Sequence, residues 1–223
     1  MSKMKVFCFG FGQVAKYFVK KILKEKIALE LNVTSRKNTH NLTFEGLDLN
    51  SFEFNNKKID KNIDTKVQNA DFVLVSIPPV EDEDIVLKNF KEILKKSKPK
   101  WITYLSATSV YGNHDGEWVN EESETKPTST SGIKRLQAEN QWLKFSFDNN
   151  LPLQIFRLSG IYSIQNNILK RLISGQAKIV KKENHFFSRI HVEDIANLLF
   201  CSIKKFKNNE IYNISYDKPA PQE

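Results

Sequence analysis

The sequence predicts an α/β fold with a doubly wound parallel sheet, and three observations carry that prediction. The chain opens on an apolar run that turns at two glycines directly into an amphipathic helix. Strand-like and helix-like patterns then alternate along its length, as a sheet covered on both faces requires. Midway, the continuous apolar run from Ala70 to Ile77 stops at Pro78-Pro79, the signature of a central strand.

Taken in order, Val6 to Phe9 forms the first strand, Gly10 and Gly12 the turn, and Val14, Phe18, Val19, Ile22 and Leu23 the buried stripe of the first helix. Gly10 suits a tight turn, Gly12 has no Cβ to hold a pyrophosphate away, and small Ala15 lets helix and strand pack closely. The helix start, with Gln13 and Val14, offers free N–H groups and partial positive charge to phosphates. A dinucleotide site is therefore expected here; the competing reading is a glycine turn in some other α/β fold. Ile27 to Thr34 reads as the second strand, followed by Ser35, Arg36 and Lys37 in place of the carboxylate that would accept from ribose hydroxyls. Ser35 and Arg36 could hold a 2′-phosphate, so NADP(H) is favoured over NAD(H); the plainer reading is a basic loop. Leu42 to Leu49 is expected as a third strand, with Asp48 near the adenine, and Ser51 to Asn69 as a polar loop around a short helix. Ser76, Ile77 and Pro78 end the central strand, where ligands bind in open parallel sheets. A helix over Asp84 to Lys96 and a strand from Lys100 to Leu105 continue the alternation.

The next motifs are Tyr104-Leu105-Ser106-Ala107-Thr108-Ser109-Val110-Tyr111-Gly112, then Pro127 and Ser131-Gly132-Ile133-Lys134-Arg135-Leu136-Gln137-Ala138-Glu139. With Phe156 to Tyr162, Arg189 to Ala196 and Ile211 to Ser215, they give the chain a pattern that resembles the extended and atypical short-chain dehydrogenases/reductases, the NAD(P)-dependent epimerase/dehydratase superfamily. The resemblance implies a Rossmann-type NAD(P)-binding fold over residues 1–223, with 113–130 and 160–190 on the substrate side and a C-terminal substrate lobe that is short or missing. It also implies a small-molecule substrate, and a homodimer through the helices after the fourth and fifth strands is common in that superfamily.

The departures bear on chemistry. Family members exchange a proton through a Tyr whose neighbour is a Lys, and hold the substrate oxygen with a Ser or Thr. Alignment on the motifs puts Ala107 at the Ser/Thr position, Ser131 at the Tyr position and Arg135 at the Lys position; a one-residue shift gives Thr130 and Lys134, still without a phenol. A serine hydroxyl is a far weaker acid than a phenol of pKa about 10, and Arg does not release its proton. Losing general acid–base catalysis costs roughly 10²–10⁴-fold. Ser106, Thr108, Tyr111, Ser131 and Arg135 are the candidates around the reacting carbon, Arg135 as a clamp for phosphate, ribose or carboxylate. Asn113 to Thr130 reads as a mobile loop carrying His114 and Asp115, Arg157 as either an anion binder or a structural ion pair, and His191 as the start of a helix. Ile168, Leu169, Leu172 and Ile173 are expected to pack in the core.

Composition narrows the rest. The 34 basic residues against 26 acidic give +8, but only five are Arg, and the Lys spread over helix faces without a nucleic-acid-binding motif. No nucleic-acid or membrane partner is expected, because no apolar run is long enough to span a bilayer. Cys8 and Cys201 lie in apolar runs away from ligand-like neighbours and read as buried free thiols, no metal site is expected, and a cytoplasmic protein is. Two functions follow: an NAD(P)-dependent oxidoreductase or epimerase/dehydratase-like enzyme with an atypical active site, or a non-catalytic NAD(P)(H)-binding sensor or partner-binding module.

Overall fold

The computed structural model describes residues 3–37, 42–55, 57–176 and 186–221. At its centre β1 (Met4–Phe9) runs parallel between β2 (Leu29–Ser35) and β6 (Phe72–Val75). Beyond β2 lies β4 (Leu47–Asn55), and beyond β6 come β7 (Trp101–Ala107), β8 (Leu153–Leu158) and β11 (Glu210–Ile214), all in parallel pairs. Strand order therefore runs outward from β1 in one direction and restarts beside it in the other. That reversal opens a crevice at the carboxyl ends of β1 and β6.

Helices cover both faces. α1 (Gln13–Lys24) and α6 (Val192–Lys204) bury Phe18, Ile22, Ile195 and Leu199 against one side of the sheet. α2 (Ile63–Gln68), α3 (Ile85–Ser97) and α4 (Thr130–Asn149) bury Ile63, Phe90, Leu94 and Trp142 against the other. On that second side Phe7, Phe9, Phe54 and Phe90 form one aromatic cluster, with centroids 4.7–6.1 Å apart in the contacting pairs. Offset and edge contacts of this kind favour the packing beyond the area they bury.

Five expectations are corrected. Leu42 to Leu49 is not one strand: Glu45 (φ 51°) and Gly46 (φ 75°) form a hairpin turn between β3 (Leu42–Phe44) and β4, and it is β4 that joins the parallel sheet, through Asn50 to Glu53. Ser51, Phe52 and Phe54 are accordingly buried strand residues, followed by β5 (Lys58–Ile59) before α2. The helical stripe of α5 (Ile168–Ile173) exists, but Ile168, Leu169, Leu172 and Ile173 are 49–88% exposed. Cys201 is exposed on α6, while Cys8 is buried in β1; both are free. Finally, the 113–130 segment is tied down: Gly112 bridges Lys126, His114 Nε2 lies 3.1 Å from the Glu124 carbonyl, and the Asn213 N–H donates to Glu121 Oε1 at 2.6 Å. Of the 160–190 segment, β9 (Gly160–Tyr162) pairs in parallel with β10 (Arg189–His191), and residues 177–185 lie outside the described residues. Among the described residues no helix is long and apolar enough to cross a membrane.

Candidate functional site

The glycine turn is built as its sequence demands. Gly10 has φ +87°, and a Cβ there would lie 2.9 Å from Ser76 Oγ. Ser76 Oγ is a shared donor to the Phe9 and Gly10 carbonyls, each 3.0 Å away, and the Gly10 N–H donates to Thr34 Oγ1 at 2.8 Å. Those bonds knot together the carboxyl ends of β1, β2 and β6. Gly12 is the N-cap of α1 with no side-chain cap, and a Cβ there would meet nothing within 4 Å. The first N–H groups of α1 are thus left for an anion.

A crevice of about 450 Å³ opens above this knot, lined by Gly10, Gly12, Ser35, Arg36, Ser76, Ile77 and Pro78, together with Phe54 and Asn55. Gln13 and Val14 start α1 beside it; Val14 is buried, and Gln13 Nε2 is buried without a hydrogen-bond partner among the described residues. Asp48 is a correction: it lies at the amino end of β4, exposed, accepting from Thr43 Oγ1 at 2.9 Å across the hairpin. Because β4 runs parallel to β2, the crevice is reached from its other end, by Phe54 and Asn55. The alternating Phe52 and Phe54 were the signal that the strand continues. Asn55 Nδ2 donates to the Arg36 carbonyl at 3.0 Å, and Ser51 Oγ to Ser35 Oγ at 3.3 Å. A cradle open at Gly12, one cation and no carboxylate among the described lining residues fit a dinucleotide phosphate group.

The predicted catalytic candidates scatter around the next strand. Ala107 ends β7 and passes into a 3₁₀ turn, Thr108–Val110. α4 begins hard against that turn, since a Cβ on Gly132 would lie 2.6 Å from the Ser109 carbonyl. Ser131 is exposed in the first turn of α4, its Oγ 3.4 Å from Ser129 Oγ. Arg135 Nη1 donates to the Leu105 carbonyl at 2.6 Å, and Lys134 Nζ to the Val80 carbonyl. Ser106 Oγ is buried with no partner among the described residues. Burial also pushes the Tyr104 phenol well above its ordinary pKa, and it faces Trp142 in the core.

Thr108 and Tyr111 line a second cleft of about 580 Å³ with Asn113, His114, Trp118, Asn213, Ser215 and Tyr216. The Tyr111 hydroxyl, however, points into the protein. It donates to Asn213 Oδ1 at 2.7 Å and accepts from Arg157 Nη1 at 2.8 Å. Arg157 is in turn held by Glu139, with Nη2 to Oε2 at 2.8 Å and Nε 3.2 Å from both oxygens, the side chains 5% and 1% exposed. Arg157 is therefore an ion-pair residue, not an anion binder, and the Tyr111 phenol is not presented to a substrate. Asp115 (φ 52°) accepts from Asn113 Nδ2 within the loop turn. His191 caps α6, its Nδ1 accepting from the Glu193 N–H at 3.4 Å. Trp118, Asn213 and Tyr216 were not singled out from the sequence; Trp118, 74% exposed in a polar loop, was the visible signal.

The family described as NAD dependent epimerase/dehydratase matches residues 10–215. A functionally unknown conserved protein from Silicibacter pomeroyi DSS is 30% identical, with a TM-score of 0.81 over 97% of this chain and 73% of that one. UDP-glucuronic acid 4-epimerase from Bacillus cereus, solved with NAD, is 16% identical with a TM-score of 0.79 over 98% and 79%. UDP-N-acetylglucosamine 4-epimerase from Methanobrevibacter ruminantium M1, solved with UDP-N-acetylmuramic acid, is 15% identical with a TM-score of 0.76 over 99% and 79%. At such identities the two epimerases share the fold alone. No curated protein matches the sequence.

Proposed function

Because the chain belongs to the NAD dependent epimerase/dehydratase family, we propose that it is an NADP(H)-dependent oxidoreductase or epimerase/dehydratase-like enzyme working on a small polar substrate without the family's Ser, Tyr and Lys set. The observation that carries this reading is the crevice between β1 and β6, with its open glycine cradle, Arg36 at its end and no carboxylate among its described lining residues. Gly10, Gly12, Gln13, Val14, Ser76, Ile77 and Pro78 would take the pyrophosphate and nicotinamide half, Ser35 and Arg36 the 2′-phosphate. The bound nicotinamide supplies hydride transfer. The 580 Å³ cleft, roofed by 113–130 and flanked by the described part of 160–190, would take the substrate within one Rossmann-type domain. Thr108 reaches that cleft, while Ser131 and the Arg135 guanidinium stand at the start of α4.

A second reading draws on a separate observation: the Arg135 fork is tied to Leu105, the Tyr111 phenol to Asn213 and Arg157, and a serine stands at the phenol's place. A protein so built would bind the dinucleotide and change its affinity for a partner without turnover. Fluorescence titration with NADPH and NADH, on the natural chain and on Arg36→Ala, tests the shared premise. NADPH is expected to bind more tightly, and the variant to lose about tenfold or more for NADPH alone, the scale of a charge-assisted hydrogen bond to phosphate. Failure of both nucleotides to bind at millimolar concentration would sink both readings. Hydride exchange by the NADPH complex then separates enzyme from sensor.

A further inference from the structure

Behind the Arg36 end of the crevice lies a carboxylate, Glu53, and the protein has covered it. Glu53 is registered directly across from Ser35 in the parallel pair of β2 and β4, so their side chains share a face. Its Oε2 is paired with Lys58 Nζ at 2.8 Å, and its Oε1 lies 3.3 Å from Asn55 Nδ2. Asn55 connects this pair to the site: the same amide donates to the Arg36 carbonyl, while its Oδ1 accepts from the N–H groups of Lys57 and Lys58, each at 2.9 Å. The Glu53 side chain is only 16% exposed, whereas that of Lys58 is 63% exposed.

Resting on the reading of Ser35 and Arg36 as a 2′-phosphate site, we infer that Lys58 is a specificity-determining residue: by neutralising Glu53 one layer behind the crevice, it leaves the Arg36 end positive enough for NADPH. The usual NAD-type device is a carboxylate at the end of the second strand that accepts from the ribose hydroxyls. In this chain the carboxylate stands on the neighbouring strand, and its charge is cancelled by a residue of the β4–β5 hairpin. Exposing that charge sets it against a dianionic phosphate but not against a neutral ribose. The effect therefore falls on NADPH alone and weakens with salt.

The test is to measure NADPH and NADH dissociation constants for the natural chain, Lys58→Met, Glu53→Gln and the double variant, at about 20 mM and 200 mM salt. Lys58→Met is expected to weaken NADPH about three- to tenfold and NADH less than twofold, more so at low salt, the scale of one charge across ~8–10 Å of partly solvated protein. Glu53→Gln in the same chain should restore NADPH binding. The inference is overturned if the double variant binds as poorly as Lys58→Met, if both nucleotides weaken together, or if salt leaves the difference unchanged. If the natural chain itself prefers NADH, the Arg36 reading fails. The masking of Glu53 is then still judged by whether Lys58→Met shifts the NADPH/NADH ratio and Glu53→Gln reverses the shift.

Discussion

Gly10 and Gly12 stand two positions apart and answer to different constraints, so their alanine variants should fail differently. At Gly10 the backbone is left-handed and a Cβ would strike Ser76 Oγ, which is fixed by two carbonyls. Gly10→Ala should cost about 1–3 kcal/mol of stability. At Gly12 (φ −82°) there is open space. Gly12→Ala should cost about 1 kcal/mol or less in urea denaturation, yet lower nucleotide affinity at least tenfold by filling the cradle. Tyr111 separates chemistry from architecture in the same way. Tyr111→Phe strips Asn213 Oδ1 of its donor and Arg157 Nη1 of an acceptor, a loss of about 1–3 kcal/mol, while the pH profile of any turnover should not move. Glu139→Gln should be worse, about 3–5 kcal/mol, because it strands the buried Arg157 charge. Sequence alone left Arg157 open between two roles, since nothing in a strand pattern tells an arginine that its partner is 18 residues back on a helix.

Elements were legible where one pattern had one meaning. Continuous apolar runs marked β1, β6, β7 and β8 because both faces of a central strand are covered. β4 is harder to read because its hairpin with β3 breaks the run at Glu45-Gly46, and beyond the turn polar and apolar residues alternate as a loop with a short helix also can. The same turn puts Asp48 at the amino end of β4, away from the crevice. The α5 stripe differs from its expected packing because helical periodicity reports a stripe without reporting what covers it. Leu172→Gln and Ile173→Lys are accordingly expected within about 0.5 kcal/mol of the natural chain by thermal melting, as at open surface positions. The start of α3 supplies a pH prediction. Asp84 Oδ1 accepts from the Val86 and Leu87 N–H groups at 3.0 and 3.1 Å, while Oδ2 is buried with no partner among the described residues. Burial raises the carboxyl above its ordinary value, and the two backbone bonds only partly oppose this. A folded value above the unfolded one means that this group's stabilisation is full below the unfolded pKa and is lost as pH rises through the folded one. Asp84→Asn keeps the capping oxygen and removes the buried charge. It should match or exceed the natural chain at pH 7 and lose that advantage toward pH 4, whereas Asp84→Ala should lose about 1 kcal/mol with the cap.

At the scale of the molecule, the crevice joins residues that are neighbours only in the folded state: Gly10 from β1, Thr34 from β2 and Ser76 from the end of β6, bonded to one another at 2.8–3.0 Å. An unfolded chain cannot present that knot, so a dinucleotide that fits it binds the native state alone and must stabilise the whole sheet. At a concentration 100 times its dissociation constant the gain is about 2.7 kcal/mol. For a chain of 223 residues, one kcal/mol moves the melting temperature by roughly 2–4 °C, so NADPH is expected to raise it by about 5–10 °C. The shift for NADH at equal concentration should be smaller. Gly12→Ala should melt close to the natural chain without nucleotide and gain little when NADPH is added. A full NADPH shift in Gly12→Ala would mean that the nucleotide binds somewhere other than the glycine cradle, and the site would have to be sought away from the β1–β6 crevice.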